Sequence, residues 1–147
     1  MDKALIGAAG EHFIAFRLCE MGYTIGLTAR GMRAVDLLAT NPETGKSITV
    51  QTKTALDACN ESGDYWHWPI GLSRALARKT FFYMFVDLKG GSQSKQPDVF
   101  IVPSLKLKSP LLREYHNYAG CAMYDRDKNK YLNRWDVIEV ALGKSST

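Results

Sequence analysis

The sequence predicts a mixed α/β fold of the α+β kind, in which helices flank a central mixed β-sheet. The chain has 147 residues, of which 46% are hydrophobic and 23% charged, a composition that suits one globular domain. An N-terminal segment has apolar residues at helical spacing, and several later segments have patterns typical of strands. Neither a repeat nor a long linker divides the chain. We therefore expect one domain over residues 1–143 and a disordered tail over 144–147.

Residues 3–21 are predicted to form the first helix. Apolar side chains recur there at intervals of three and four residues, as on one face of an amphipathic helix. Gly22 follows as a residue type that commonly ends a helix. The apolar residues at this spacing are Leu5, Ile6, Ala9, Phe13, Phe16 and Met21.

Three predicted strands follow this helix, over residues 23–29, 34–40 and 47–55. The segment between the second and third strands, residues 41–46, reads Asn-Pro-Glu-Thr-Gly-Lys and is rich in turn residues. We therefore expect the second and third strands to form a hairpin.

The middle of the chain is less regular. Residues 57–69 are polar and then aromatic without a clear period, so a loop is predicted there. A short helix is predicted over residues 72–79. The aromatic-rich apolar run over residues 81–88 indicates a buried strand, and residues 99–102 a shorter one.

The C-terminal part is predicted to be helical. Residues 104–118 are expected to form a helix, although Pro110 prevents it from being continuous. Residues 131–142 predict a last helix, with Asn133 as its N-cap. The core order is therefore αβββαβ, followed by a C-terminal helix.

Membrane and secretory classes are not indicated. No stretch approaches the roughly 20 apolar residues that a transmembrane helix needs. Glu11, Arg17 and Glu20 interrupt the N-terminal segment, which therefore lacks the uninterrupted apolar region of a signal peptide. We expect a soluble, cytoplasmic protein that does not contact membranes.

The three cysteines indicate neither a zinc site nor a disulfide framework. Cys19, Cys59 and Cys121 are far apart and odd in number. We expect buried or inert thiols in a reducing compartment.

Three polar residues on the predicted hairpin indicate a site. Asp36 interrupts an apolar strand, where a half-buried carboxylate needs a partner or a bound cation. Gln51 and Lys53 alternate with apolar or β-branched residues, so both are expected on one face of the third strand. The hairpin can bring that face to Asp36. The alternatives are a solvated aspartate near a turn and the ordinary polar face of an amphipathic strand.

Glu11 is the fourth candidate. Its neighbours at three and four residues along the first helix are small or apolar, namely Gly7, Ala8, Ala15 and Leu18. Small neighbours allow a helix to approach a sheet closely. The alternative is a glutamate at the rim of a surface helix.

These groups suit a hard divalent cation. Magnesium prefers oxygen ligands and keeps several waters. Glu11 and Asp36 can offer carboxylate oxygens, Gln51 an amide oxygen and Thr52 its carbonyl. The Lys53 ammonium group can assist an attacking water or stabilise charge on a phosphate.

The ordered set Glu11, Val35-Asp36 and Gln51-Thr52-Lys53 resembles the PD-(D/E)XK nuclease superfamily. It is most similar to the branch with Gln-x-Lys in the last motif, which includes intron-encoded homing endonucleases of restriction-enzyme type. The similarity covers roughly residues 1–56. It implies a restriction-endonuclease-like fold whose active site lies at one edge of the central sheet.

The resemblance also implies roles for these residues. Asp36 would be the main metal ligand, Glu11 would assist it, Gln51 would replace the usual acid, and Lys53 would be catalytic. Val35 stands where the name-giving proline of the motif is found. Gln51 removes one negative charge from the metal site, which is expected to weaken cation binding.

Basic and aromatic residues outside this set are candidate nucleic-acid contacts. The net charge of +4 is compatible with a polyanionic partner but does not require one. The arginines and lysines can contact phosphates or be ordinary solvated residues. The run Trp66-His67-Trp68 can stack on bases, or it can fill the core or an oligomer interface. The basic candidates are Arg30, Arg33, Arg74, Arg78 and Lys79.

Three functions are consistent with the sequence. The first is a DNA endonuclease that uses Mg²⁺ or Mn²⁺ and acts as a homodimer or homotetramer, because so small a domain covers little duplex. The second is a nuclease-fold module that binds nucleic acid or protein and no longer cuts. The third is an interaction protein that uses the aromatic loop and has no affinity for nucleic acid.

Overall fold

The computed structural model describes residues 1–28, 35–71 and 77–144. Within these ranges the chain forms three α-helices, two short 3₁₀ helices and eight strands. The helices are α1 (Lys3–Glu20), α2 (Asp125–Tyr131) and α3 (Trp135–Ala141), and the 3₁₀ helices are Lys89–Gly91 and Ser104–Lys106. The strands are β1 (Thr24–Leu27), β2 (Leu37–Thr40), β3 (Ser47–Ala55), β4 (Tyr65–Pro69), β5 (Phe81–Asp87), β6 (Asp98–Pro103), β7 (Leu112–Tyr115) and β8 (Tyr118–Tyr124).

The central sheet has five strands in the order β1-β2-β3-β5-β6. It is mixed, because β3 and β5 are parallel whereas the other neighbours are antiparallel. The predicted α+β fold is therefore confirmed. The hairpin of β2 and β3 is also confirmed, with Thr40 paired to Ser47, and β3 has the predicted bounds.

Helices α1 and α3 cover one face of this sheet. Ile14 and Leu18 of α1 and Ile138 of α3 are 0% exposed and share a hydrophobic cluster with Leu37 and Val50 of the sheet. The helix α1 begins where the Asp2 side chain accepts a hydrogen bond from the backbone N–H of Ala4, at 2.7 Å. The predicted bounds of the first helix are close to those observed, but its predicted apolar face is partly wrong, because Leu5, Ala9 and Phe16 are exposed.

A second sheet, in the order β4-β8-β7, covers the opposite face. Trp68 is 0% exposed, and its ring centroid lies 5.3 Å from that of Phe85 and 5.1 Å from that of Phe100. Its indole N–H donates to the carbonyl of Val86 at 2.9 Å, so this buried polar group is satisfied. Every residue of β5 is buried because both faces of the central sheet are covered.

The predicted loop over residues 57–69 is wrong at its aromatic end. Tyr65–Pro69 forms strand β4, which pairs antiparallel with β8. Trp66 and Trp68 are buried, whereas Tyr65 and His67 are only partly covered. All of these residues are aromatic, so their alternation in burial is hidden from a test of apolar against polar residues.

The predicted helix over residues 104–118 is also wrong. The chain forms the 3₁₀ turn Ser104–Lys106 and then the hairpin of β7 and β8. Inward residues such as Leu112 and Cys121 are buried against the central sheet, so tertiary packing decides the strand conformation. For the helix predicted over 72–79, residues 72–76 lie outside the described ranges, and residues 77–80 are not helical.

The last predicted helix is two helices rather than one. α2 ends at Tyr131 and α3 begins at Trp135. Asn133 lies between them with a φ of 51°, and Arg134 rather than Asn133 occupies the N-cap position of α3. The start of the disordered tail predicted over 144–147 is described at Lys144, and the rest lies outside the described ranges.

The cysteines are all free, but only Cys121 is buried. Cys19 is exposed on α1 and Cys59 is partly buried, so for these two residues an inert thiol stays a prediction. Among the described residues, none of the helices combines the length and apolar character that crossing a bilayer requires.

Candidate active site

A cleft opens beside the C-terminal end of β3, where β3 extends past its neighbour β2. β2 begins at Leu37, which pairs with Val50, so the following residues of β3 extend beyond it. Helix α1 borders this region on one side, and the end of β4 and the start of β8 border it on the other. The cleft has a volume of about 490 Å³. Its lining residues are Lys3, Gly7, Glu11, Thr52, Lys53, Thr54, Pro69, Ile70, Gly71 and Tyr118.

The close approach of α1 to β3 places Glu11 in this cleft. Gly10 is buried, and a Cβ built on it would lie 2.8 Å from both Cβ and Cγ2 of Thr54 and closer still to Oγ1. Only glycine therefore fits at this contact. Lys3, Gly7 and Glu11 follow one another at intervals of four residues and form the stripe of α1 that lines the cleft.

Asp36 is held against β3 immediately before β2. Its Oδ2 accepts hydrogen bonds from the backbone N–H of Thr52 at 2.7 Å and from the Thr52 hydroxyl at 3.2 Å. Its backbone N–H donates to the carbonyl of Val50 at 2.9 Å, and its carbonyl accepts from the backbone N–H of Thr28 at 3.0 Å. The carboxylate is half-buried, as predicted.

Side chains around Asp36 do not alternate regularly between the two faces of the sheet. Val35 packs into the cluster beneath the second sheet, whereas Leu37 packs into the cluster beneath α1. Regular strand alternation would predict both side chains on one face, and the structure contradicts that. Asp36 and Leu37 both face Val50, the arrangement of a β-bulge, and a bulge redirects side chains. The carboxylate consequently reaches the backbone of β3 at its open edge.

Gln51 and Lys53 share one face of β3, as alternation predicted. Their register partners on β5 are Tyr83 and Phe85, which belong to the cluster beneath the second sheet. Thr54 lies on the opposite face, where it contacts α1 at Gly10. The cleft at the open edge therefore receives Lys53 from one face of the sheet and Glu11 from the helix on the other.

Two buried oxygens in this region lack a hydrogen-bond partner within the described part of the chain. They are Oε1 of Gln51 and Oγ1 of Thr54. Gln51 is only 7% exposed. A buried polar atom without a partner costs about 1–3 kcal/mol, so nearly all such atoms in native proteins bind water, an ion or another group. The Gln51 oxygen could therefore accept a further group, and Gln51 directly precedes Thr52, the residue that binds Asp36, in the sequence of β3.

No cluster of three or more His, Cys, Asp or Glu residues suited to a metal ion occurs in ranges 1–28, 35–71 and 77–144. A cation at this site would therefore have two carboxylates at most, from Glu11 and Asp36. The Gln51 amide oxygen and a backbone carbonyl such as that of Thr52 would have to complete its protein ligands.

The basic residues predicted as nucleic-acid contacts are only partly described. Arg78 and Lys79 are exposed, and the backbone of Arg78 is held by hydrogen bonds with the Ser104 hydroxyl at 2.8 and 2.7 Å. Their contact with nucleic acid stays a prediction. Arg30, Arg33 and Arg74 lie outside the described residues.

Tyr118 and His67 are neighbours of the cleft that the sequence did not single out together. Tyr118 lines the cleft, and its hydroxyl lies 2.8 Å from Nε2 of His67. Burial, and then the nearby Arg113 guanidinium, hold the pKa of His67 below its ordinary value of 6.5. The contact exists because β4 pairs with β8, so it could be predicted only if residues 65–69 were predicted as a strand.

Among solved structures, the chain is similar in fold to a bacterial homing endonuclease, I-Ssp6803I. The superposition covers 99% of this chain and 100% of that chain, with a TM-score of 0.64 and 16% sequence identity. No protein-family model matches the sequence, and neither does any curated protein. At this identity the likeness shows a shared fold, a mixed α+β architecture around a five-stranded sheet.

Proposed function

We propose that this chain is a metal-dependent DNA endonuclease of the PD-(D/E)XK superfamily, in the branch with Gln-x-Lys in its last motif. The observation that best supports this proposal is that Oε1 of Gln51 is buried and has no hydrogen-bond partner among the described residues. Gln51 is followed in β3 by Thr52, which binds the Asp36 carboxylate and lines the cleft together with Glu11 and Lys53. The likeness to a homing endonuclease in fold supports the same proposal.

The residues present fit Mg²⁺ or Mn²⁺ in ligand type. Both cations prefer oxygen ligands, and Mg²⁺ commonly uses one or two carboxylates together with water. Asp36 uses Oδ2 for its bonds to Thr52, and within the described residues no hydrogen bond engages Oδ1. Glu11, Asp36 and Gln51 would hold the cation, with Thr52 contributing its carbonyl.

Each side chain would have a separate task in phosphodiester hydrolysis. A bound divalent cation supplies Lewis acidity, which activates water and offsets charge on the phosphate. The Lys53 ammonium would orient the attacking water and stabilise the developing negative charge. Thr52 keeps the Asp36 carboxylate aimed at the open edge of β3 through two hydrogen bonds.

The test is cleavage of supercoiled plasmid DNA with Mg²⁺, with Mn²⁺ and with EDTA. We expect cleavage only with a cation, and we expect Lys53→Ala to lower the rate about 10²-fold to 10⁴-fold. Lys46→Ala is the matched control, because Lys46 is exposed in the turn between β2 and β3. An unchanged rate in Lys53→Ala would remove Lys53 from the mechanism, and cleavage that persists in EDTA would remove the metal.

A second candidate is a nuclease-fold module that binds but does not cut. It is favoured by the uncharged Gln51 and by the lack of a cluster of three acidic, His or Cys ligands in the described part of the chain. Calorimetry with Mg²⁺ separates the two functions, since the module has no affinity for the cation. Gln51→Glu adds a third carboxylate, and a gain of cleavage in that variant alone would support the module.

We further propose that the enzyme acts as a homodimer or homotetramer, because one 16.4 kDa chain covers little of a duplex. Sedimentation at micromolar concentration tests this. A monomer that cuts both strands of a duplex would contradict it.

A further inference from the structure

The outer face of the second sheet carries a group of partly buried aromatic rings and one arginine. β4 and β8 alternate, so that Trp66, Trp68, Cys121 and Met123 point to the core while their neighbours point outward. We call the outward group the aromatic face. Its residues are Tyr65, His67, Tyr118, Tyr124 and Arg113.

The His67 and Tyr118 side chains both extend over Gly120 of β8. A Cβ built on Gly120 would lie 2.5 Å from Nε2 of His67 and 3.2 Å from the hydroxyl of Tyr118. The two ring planes are within 21° of parallel, with centroids 5.8 Å apart. Ala122 is only 2% exposed although it is on the outer side, which shows that side chains cover it. His67, Tyr118 and the neighbouring Tyr65 are nevertheless only partly buried, so part of each ring is accessible.

Arginine side chains flank the rings. The Arg113 guanidinium lies 5.6 Å from the centroid of Tyr124 and donates to its hydroxyl at 2.9 Å. Arg126 is exposed, and its guanidinium lies 4.9 Å from the same ring. These contacts hold two cations beside the rings, and basic groups next to aromatic rings are the combination that single-strand-binding surfaces use.

The aromatic face is continuous with the candidate active site. Tyr118 belongs to both, because it lines the cleft that also contains Glu11 and Lys53. Pro69, the last residue of β4, lines the cleft as well and pairs with Gly120 in the sheet. The aromatic face and the cleft therefore adjoin at Tyr118 and Pro69.

We propose that the aromatic face binds unpaired nucleotides next to the phosphodiester in the cleft, with bases stacked on His67, Tyr118 and Tyr65 and phosphates on the arginines. This inference rests on the proposed nuclease function and specifies its substrate class. Bases in a duplex are already stacked on each other, so flat rings on a protein surface favour single-stranded segments. The substrate is thus nucleic acid with an unpaired stretch at or beside the cut.

Binding measured without cleavage tests the inference. Fluorescein-labelled oligonucleotides of about 20 nucleotides, as single-stranded DNA, single-stranded RNA and duplex DNA of one sequence, are titrated with the full chain in EDTA. We expect Tyr65→Ala/His67→Ala to weaken single-strand binding by about 10-fold to 100-fold, with a smaller effect on the duplex. Tyr65→Phe keeps the ring and is expected to weaken binding less than Tyr65→Ala.

The matched control is Phe16→Ala, which removes an exposed ring from α1, and α1 and the second sheet cover opposite faces of the central sheet. Thermal unfolding confirms that each variant is folded at the titration temperature. Arg126→Gln is expected to weaken binding to every strand and to lower the slope of log affinity against log salt by about 1.

The inference is overturned if the double variant binds single strands as tightly as the native chain. It is also overturned if Phe16→Ala weakens binding equally, or if the double variant mainly changes the sedimenting mass, since the face would then be a contact between copies. The nuclease proposal is tested separately, by cation-dependent cleavage and by the lower cleavage rate expected of Lys53→Ala. Ring-dependent binding without cleavage would refute only the nuclease, whereas cleavage without ring-dependent binding would refute only the aromatic face.

Discussion

Substitution of Gly10 tests the contact that positions Glu11 over the end of β3. In Gly10→Ala, the new methyl group would lie 2.8 Å from Cβ and Cγ2 of Thr54 and closer to Oγ1. Carbon atoms do not approach so closely, and the side chain of Thr54 is β-branched and stiff. Helix α1 must therefore move away from β3, or Thr54 must leave its rotamer.

Gly7→Ala is the matched comparison, because a Cβ at Gly7 meets nothing within 4 Å. Both substitutions gain about 0.5–1 kcal/mol from the higher helix propensity of alanine. Gly10→Ala also loses about 1–3 kcal/mol through overpacking. The propensity gain cancels in the comparison, so Gly10→Ala should be less stable than Gly7→Ala by about 1–3 kcal/mol.

Urea denaturation followed by tryptophan fluorescence measures the difference, since the chain has three tryptophans. In a domain of this size, 1 kcal/mol corresponds to about 2–4 °C in Tm. Cleavage should fall in Gly10→Ala as well, because Glu11 follows Gly10 on the helix. If the two variants were equally stable, the close packing of α1 on β3 would be wrong, and with it the placement of Glu11.

Three other properties can be measured directly. Gln51→Leu replaces the unpartnered buried amide oxygen by an apolar group, so the unfolding free energy should stay equal or rise by about 1–3 kcal/mol, while stabilisation by Mg²⁺ disappears. A Gln51→Leu protein that Mg²⁺ still stabilises would exclude Gln51 as a ligand. The NMR titration of His67 should have a midpoint below 6.5, because burial and Arg113 lower its pKa. Between the folded pKa and pH 6.5, the unfolded chain therefore binds more protons than the folded protein. The His67 contribution to stability is thus complete above pH 6.5 and is lost as pH falls through the lower, folded pKa. A midpoint above 6.5 would contradict this. Cys19 should react with a maleimide in the folded protein, whereas Cys121 should react only after unfolding, because burial strongly raises the pKa of its thiol.

Local patterns of the sequence were sufficient for the first part of the fold. Helix α1, the turn between β2 and β3, and the bounds of β3 follow from periodicity and turn chemistry over fewer than 20 residues. The shared face of Gln51 and Lys53 follows from strand alternation in the same way. These features depend on residues that are close together in the sequence, so the sequence is sufficient to predict them.

The second sheet was not predictable by these means. The paired residues of β4 and β8 are more than 50 positions apart in the sequence, and the long-range pairing of Tyr65 with Tyr124 and Pro69 with Gly120 defines these strands. The inner and outer sides of β4 are both aromatic, so the side that is buried depends on what packs against it. The contact of His67 with Tyr118 exists only because those strands are paired.

The candidate site likewise has features that the sequence determines and features that depend on the tertiary structure. The sequence alone determined that an acid, an amide and a lysine stand on one hairpin, with a glutamate on a helix whose small residues permit close approach. Only the tertiary structure decided that a bulge turns Asp36 onto Thr52 and that the amide oxygen of Gln51 is buried without a partner among the described residues. Side-chain identity is local, whereas the direction of a side chain and its access to water depend on the elements that cover it.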